Sequence, residues 1–355
     1  MVLQTNPFLG VGWSADDGPR RIEATVPGEP HIHILSTWCL KLLVFCSQPR
    51  DDATIVDFLT QVAPTEDPGE VVSTLHKKGF LVEPASLDPY AWWLKSGWIE
   101  GLRYDLACRN IEFADESDPR GDRRESILAK QLASIGPPSP PKAYPRAPRI
   151  SLPEPDLPGG RASDILLGRK TSRDFAQRPI PREVFAGSLF HGTSRAREAR
   201  RAATRPDASS ALPLLRSYGC AIEIYAFVHR VEGIDPGLYH YDIDGNTLER
   251  LGSGDTHQAV ASFARSSCGP GILNAGAHFL FTAEWGRYQW RYQHPRAYRM
   301  LMITGAQLVQ DIVWCATAYG LKNFVSPAIL DGAADHQLQL DGWHEGSFYE
   351  LALGV

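Results

Sequence analysis

RAYRMLMITGAQLVQDIVWCATAYGL, residues 296–321, decides how the rest of the chain is read. It predicts one long apolar helix, and Gly320 supplies the left-handed residue that commonly stops such a helix. Working outward, HFLFTAEW (278–285) before it and SFYELALGV (347–355) after it read as strands. CAIEIYAFVHRV (220–231) alternates and is rich in β-branched residues, so it also predicts a strand. GLYHYDIDGNTLERL (237–251) predicts a hairpin turning at Asp244–Gly245. Earlier still, ASDILLGRK (162–170) and PREVFAGSLFHG (181–192) predict helices, the second with Val184, Leu189 and Phe190 facing inward. Helices and strands in this irregular order give an α+β class for residues 161–355.

Upstream lies GPPSPPKAYPRAPRISLPEPDLPGG, residues 136–160, with nine of the chain's 27 prolines. Proline lacks an N–H donor and fixes φ, so this stretch is neither helix nor central strand and reads as a semi-rigid linker. Residues 1–87 hold a smaller module. STWCLKLLVFCSQP (36–49) predicts a buried helix, ATIVDFLTQVAP (53–64) an amphipathic one, and DPGEVVSTLHKKGFLVEP (67–84) a helix from its Asp-Pro start to Gly79. Three short helices and a terse strand suggest a winged-helix-like arrangement. Its last helix carries only His76, Lys77 and Lys78 as basic residues, thin for major-groove work, so a peptide- or partner-binding role is expected. Residues 88–135, rich in aromatics, read as a helical bridge. Ser194–Arg205 holds five arginines and reads as a solvated loop, with an anion- or acidic-peptide-binding flap as the alternative.

Composition narrows the function classes. The 355 residues carry a net charge of −5, which argues against a basic nucleic-acid binder. The apolar run near Ile34–Cys46 is interrupted by Ser36, Thr37 and Lys41 and falls short of the roughly 20 residues of a membrane helix. No basic-then-apolar N-terminal signal is evident. Six unpatterned cysteines read as reduced thiols, so a cytoplasmic location is expected. GxSxG, HExxH, GxxxxGK[ST] and a post-strand GxGxxG are all absent, and the 11 scattered histidines show no ligand spacing, so no metal is expected.

One cluster carries chemistry. GRKTSRDF, residues 168–175, follows the helix ASDILL and places Arg169, Lys170, Thr171 and Arg173 within five residues. Guanidinium forks and a hydroxyl at that density suit a phosphate. The R/K-[ST]-x-R-x-F pattern resembles the opening signature of the nitroreductase-like flavoproteins. TGAQLVQDIVWCATAYGL (304–321) aligns without a gap with their D-A-G-x-x-x-Q-N-L helix. The strand and hairpin at 222–251 and the ending LQLDGWHEGSFYELALGV (338–355) look like the SagB-type branch, which includes the azoline dehydrogenases of thiazole/oxazole-modified peptide biosynthesis.

That resemblance implies a homodimer with FMN at the subunit interface. It implies a modified precursor peptide or carrier-bound substrate and a cyclodehydratase partner, while the charge and the short apolar run already lead to the expectation of no nucleic acid and no membrane. Carried over by position, Arg169, Lys170, Thr171 and Arg173 would hold the FMN phosphate and its neighbouring edge, joined by Ser217, Gly219 and Gln310. The catalytic Lys-Tyr pair of azoline dehydrogenases falls on Arg291–Tyr292 in WRYQHPRAYR (290–299). The tyrosine is kept and the lysine is not. Arginine cannot serve as a base in a protein, so Tyr292 would be the acid/base and Arg291 a cation favouring its phenolate. A structural role at a strand-to-helix corner is the plainer alternative for this pair. Thr304 stands where the family has an acid, Asp311 replaces Asn, and Gln307 sits where relatives often have His. Two other readings stay open: an NAD(P)H-dependent nitroreductase-like enzyme, and a degenerate flavoprotein scaffold in a peptide-modifying complex.

Overall fold

The structure, a computed structural model, describes residues 1–14, 19–26, 31–109, 111, 122–204, 221–264 and 269–355. It divides into two compact units, Met1–Glu112 and Phe113–Val355.

In the first unit, β1 (Val2–Thr5) is followed by β2 (Gly10–Trp13), β3 (Ile22–Thr25) and β4 (Ile32–Leu35), then α1 (Thr37–Phe45), β5 (Arg50–Asp51), α2 (Asp52–Val62), α3 (Pro68–Lys77) and β6 (Leu81–Val82). Two small sheets form, ordered β5-β1-β6 and β2-β3-β4. The helix starts follow from their caps. Asp51 accepts the N–H of Thr54, and Asp67 accepts those of Gly69 and Glu70 with Pro68 at the first helical position. Leu42, Ile55, Leu59, Phe80 and Leu81 fill the core beneath. Helices α4 (Ala91–Lys95) and α5 (Ile99–Arg109) complete the unit.

The second unit is built on a seven-stranded sheet. Its elements are α6 (Asp122–Ile135), β7 (Arg149–Ser151), α7 (Ala162–Gly168), α8 (Arg182–Gly192), α9 (Ser194–Thr204), β8 (Ile222–Val228), β9 (Gly237–Asp242), β10 (Thr247–Ser253), α10 (His257–Phe263), β11 (Ala277–Glu284), α11 (Trp285–Gln289), α12 (Arg296–Ala318), β12 (Lys322–Ser326), α13 (Asp331–Leu338) and β13 (Glu345–Gly354). The strands run antiparallel in the order β12-β13-β11-β8-β9-β10-β7. Ile222, Ile224, Ala226 and Val228 of β8 face one layer with Phe279, Phe281, Leu351 and Leu353, against α8 and α12. Tyr225, Phe227 and Leu280 face the other, against α10 and α13. Every residue of β8 is buried because both sheet faces are covered.

Helix α12 is long and apolar enough to cross a membrane by composition. Its Leu301, Leu308, Val309, Ile312 and Val313 are nevertheless buried in this core. It ends as expected, with Gly320 at φ +80°. It lies very close to α8: a Cβ on Gly192 would sit 2.5 Å from the Ile312 Cα.

Three expectations are corrected here. First, the proline-rich stretch is not a free linker along its whole length. Residues 149–151 pair antiparallel with β10 as an edge strand, the one sheet position that prolines on either side tolerate. Second, the arginine-rich segment at 194–204 is a helix, not a loop. Arg197 and Arg200, three apart, point inward: Arg197 donates to the Ile243 and Phe190 carbonyls, and Arg200 to the Ile222 carbonyl and Glu223. Third, the hairpin turn is wider than a two-residue Asp-Gly turn. Asp242 pairs with Thr247, and the left-handed residue is Asn246 at φ +48°, not Gly245. Asn246 accepts from Tyr241 and donates to the Leu152 carbonyl.

The second sheet face carries a buried ionic network. Glu223, fully buried, meets Arg200 at 3.1 Å, Arg287 at 2.7 Å and His240 at 3.3 Å, and accepts the Lys142 backbone N–H. His240 reaches Glu249 at 2.9 Å with its other nitrogen, and Glu249 meets Arg149 and the Tyr144 N–H. Lys142 also pairs with Glu345, which accepts from Tyr225 and Thr282. Burial by itself would raise the Glu223 pKa, but the attraction of Arg200, the His240 hydrogen bond and the charge of Arg287 outweigh it and hold the carboxyl far below its usual range.

Two outcomes follow. Glu223→Gln removes the buried charge that the Arg200 and Arg287 guanidiniums meet, and its unfolding free energy at pH 7 should drop by roughly 3–5 kcal/mol in urea titrations. Because the native pKa is depressed, Glu223 contributes above its ordinary value of 4.5 and less below it, so the gap to wild type should narrow as pH falls below 4.5. Gly192→Ala pushes a methyl into helix backbone that cannot retreat, and thermal melts should show a loss of about 1–3 kcal/mol.

Candidate functional site

The cationic cluster sits where α12 ends. After α7 stops at Gly168, the chain runs beside β12: Thr171 bridges Asn323, and Ser172 donates its N–H to the Asn323 carbonyl at 2.9 Å. Asn323 is itself buried and donates from its side chain to Thr317 near the end of α12. Phe175 anchors the far side of the segment among Ile272, Phe324 and Ala352. The four residues between are thereby held against a fixed edge with their side chains outward. Arg169 approaches the Thr171 hydroxyl at 3.5 Å, and Arg173 lies over Phe324 with its guanidinium carbon 5.7 Å from the ring centroid.

A cavity of about 580 Å³ opens here, lined by Arg161, Arg169, Lys170, Ser172, Lys322 and the backbone of Gly159, Gly160, Gly168 and Gly320, with Asp164 as its single acid. A Cβ on any of those four glycines would meet nothing within 4 Å, so the backbone faces open space. Four cations around one such opening, with backbone accessible between them, fit a phosphate monoester.

Arg291 and Tyr292 lie at the other end of α12. Strand β11 leads into the single-turn α11, and Tyr292 donates its N–H to the Tyr288 carbonyl at 3.1 Å. The Tyr292 ring tilts against Tyr288 at 4.9 Å between centroids, and His294 stands edge-on at 6.1 Å. The Arg291 guanidinium lies over the Tyr292 ring, 4.7 Å from its centroid. Beside them is a cavity of about 620 Å³ walled by Trp285, Tyr288, Trp290, Tyr292, Tyr298 and Leu301. Trp285 stacks on Tyr298 at 5.8 Å, and Trp290 donates to the Gly136 carbonyl at 2.7 Å. Burial, then the neighbouring Tyr292, pushes the Tyr288 phenol up to about 12. Burial, then Arg296, lowers the His294 pKa, which favours the neutral imidazole.

The candidate residues thus fall into two groups. The cradle of Arg169, Lys170, Thr171 and Arg173 lies beyond the C-terminal end of α12, and Arg291–Tyr292 precedes its first residue. Twenty-three residues separate these ends, about 35 Å at helical rise. Gln310 is half-buried on α12, spaced with the exposed Ile303, Gln307 and Trp314 along one helical stripe. Ser217 and Gly219 lie outside the described residues. Thr304, in the place of the expected acid, returns its hydroxyl to the Met300 carbonyl of its own helix. Asp311 lies 3.8 Å from Arg195; burial raises its pKa against that cation.

Sequence reading missed the aromatic walls and His294. The signal was present in WRYQHP, where aromatic residues and a histidine crowd the tyrosine, but only the fold turns them toward one cavity.

No family model matches the chain. It is similar to the trifolitoxin operon protein TfxC of Rhizobium leguminosarum bv. trifolii, 26% identical over 294 residues that cover 79% of this chain and 78% of that protein. It is also similar to the trifolitoxin-processing protein TfxB of the same organism, 24% identical over 322 residues covering 84% and 83%. Among solved structures it resembles a candidate nitroreductase from Anabaena variabilis (TM-score 0.49, 19% identical), the match covering 62% of this chain but only 44% of that one. It also resembles a chain of the E. coli microcin synthetase McbBCD complex with truncated pro-MccB17 bound (TM-score 0.40, 17% identical, covering 69% and 98%).

Proposed function

We propose that the chain is an FMN-dependent oxidoreductase of peptide natural-product maturation, with the nitroreductase-like fold of the SagB-type branch. Its substrate is a modified precursor peptide or a carrier-bound intermediate, and its reaction is the oxidation of a thiazoline or oxazoline to the aromatic azole. The observation that carries this reading is the cationic cavity lined by Arg161, Arg169, Lys170 and Lys322, beside which Thr171 and Ser172 are held by backbone pairing to β12, with Arg173 just beyond over Phe324. The similarity to trifolitoxin operon proteins supports a peptide as the substrate class.

Arg169, Lys170 and Lys322 would hold the phosphate of FMN, with the Thr171 and Ser172 hydroxyls as further donors and Gln310 toward the rest of the cofactor. Bound FMN would supply the acceptor for one hydride, which carries both electrons of the oxidation, with dioxygen then taking those two electrons on. The remaining requirement is a proton acceptor, because aromatising an azoline removes one hydrogen as hydride and a second as a proton. Tyr292 fills that role at its phenol oxygen. Arg291 stays charged and favours a negative oxygen from across the ring. Trp285, Trp290 and Tyr298 would exclude water from a flat heterocycle and orient it by stacking.

The two groups lie at opposite ends of α12, so the reading requires a homodimer in which the cradle of one copy meets the aromatic cavity of another. The exposed stripe of Ile303 and Trp314 on α12, with the exposed Leu166 and Leu167 of α7, supports such an interface. The helices α1–α3 with β6 support a winged-helix-like module that engages a leader peptide or a cyclodehydratase partner. A non-enzymatic scaffold is the second reading, favoured by arginine at 291 where the chemistry would use lysine.

The freshly purified protein should be yellow and release about one FMN per chain. Arg169→Ala and Arg173→Ala should each weaken FMN binding about 10–100-fold, the scale of a charge-assisted contact, in fluorescence-quenching titrations. Colourless protein that FMN cannot reconstitute would leave the scaffold reading standing. Tyr292→Phe should keep its flavin yet oxidise an azoline-containing peptide under air about 10²–10⁴-fold more slowly. Rapid NAD(P)H turnover without peptide oxidation would point instead to a nitroreductase-like activity.

A further inference from the structure

A second cluster lies in the Phe113–Val355 unit and has no part in the proposed oxidation. His229 follows the last residue of β8, and Asp255 and His257 form the turn into α10. Each offers one ligand atom, and these atoms all lie within 4.8 Å of one another. Asp255 accepts the His257 backbone N–H at 2.9 Å and also meets its ring Nδ1. The His229 and His257 rings are 4.0 Å apart between centroids.

The histidine on the strand is the telling residue. His229 is only 5% exposed, so its ring is withdrawn from water. Its Nδ1 lies 3.2 Å from the Thr256 hydroxyl, while its Nε2 is buried with no hydrogen-bond partner among the described residues. A buried imidazole nitrogen left unsatisfied costs free energy unless something else fills its lone pair. Behind it stands His278, edge-on at 5.4 Å and fixed by Glu350 at 2.9 Å.

We propose that His229, Asp255 and His257 bind a divalent transition-metal ion of the zinc class. Two imidazoles and one carboxylate match the ligand preference of Zn²⁺ and its neighbours, whereas Mg²⁺ and Ca²⁺ need an oxygen shell this cluster lacks. The Thr256 hydroxyl, 3.2 Å from Nδ1, fixes the orientation of the His229 ring. Three protein ligands leave one position open toward a cavity of about 440 Å³. Arg230 and Arg250 rim that cavity, and Asp235 pairs with Arg250, so water or a small anion suits the open position. The ion clips the end of β8 to the turn before α10. Sequence spacing hides the site because His229 precedes Asp255 by 26 positions, and only the return of the chain past β9 and β10 brings them together.

The test uses untagged full-length protein, dialysed against EDTA and then against metal-free buffer, titrated with ZnCl₂ by calorimetry and checked by elemental analysis. The expected result is one zinc per chain with micromolar or tighter affinity and a raised melting temperature, undisturbed by millimolar Mg²⁺. His257→Ala changes the first residue of α10 and Asp255→Asn the exposed turn before it, and circular dichroism checks that the fold is kept. Each variant should weaken zinc binding at least tenfold and abolish the thermal shift. His229→Asn should do the same. No saturable zinc binding by the wild type would overturn the proposal, and so would unchanged binding in both turn variants, which would place the ion elsewhere.

Discussion

The Glu223 carboxylate is the point on which the second unit turns. It sits at the start of the central strand, fully buried, and it draws together groups that the sequence scatters: Arg200 from α9, Arg287 from α11, His240 from β9 and the backbone of residue 142. A carboxylate in that position is tolerable only when its charge is matched and its lone pairs are filled. Meeting that condition fixes where α9, α11 and the proline-rich segment can lie. Glu249 and Glu345 extend the same requirement to Arg149, Lys142 and Tyr225. The network thus converts a stretch with little apolar content into part of the sheet layer.

That layer in turn sets up both candidate half-sites. Strand β11 ends next to the network at Glu284, and α11 begins there, with Glu284 accepting the Arg287 N–H. Glu284 thus caps α11, while the Arg287 side chain closes an ion pair with Glu223. The aromatic cavity follows within a few residues. At the other end, α12 delivers Thr317 to Asn323, and Asn323 holds the segment that presents the cations.

Much of this was legible in the sequence, and for physical reasons. Helix α2 announced itself through the amphipathic spacing of ATIVDFLTQV and α3 through Asp67 and Pro68, because periodicity and capping are local. Helix α12 and its stop at Gly320 were legible for the same reason. The cationic cluster could be read as a candidate site because Arg169, Lys170, Thr171 and Arg173 fall within five residues. What was not legible depends on distant pairing. Nothing local in Arg197 or Arg200 says that a buried carbonyl and a buried carboxylate await them, so an arginine run read as solvated. Residues 149–151 become a strand only because β10 offers an edge. Asn246 takes the left-handed turn position over its neighbour Gly245 because its amide has partners in Tyr241 and Leu152. The separation of the cradle from Tyr292 is likewise a matter of helix length, which a motif search does not measure.

The two flanks of the seven-stranded sheet have a further consequence. Open sheet edges are where extended chains, including copies of the same protein, are captured. Here one flank ends in β7, three residues long and set between Pro148 and Pro153, which offer no N–H groups. The other ends in β12, against which Thr171 and Ser172 already lie. Neither side leaves a long ladder of unpaired backbone, so self-templated stacking is blocked and a peptide approaching this sheet has no register to join. An extended chain meeting either of these described edges finds little backbone to pair with, so any hold on it there falls to side chains.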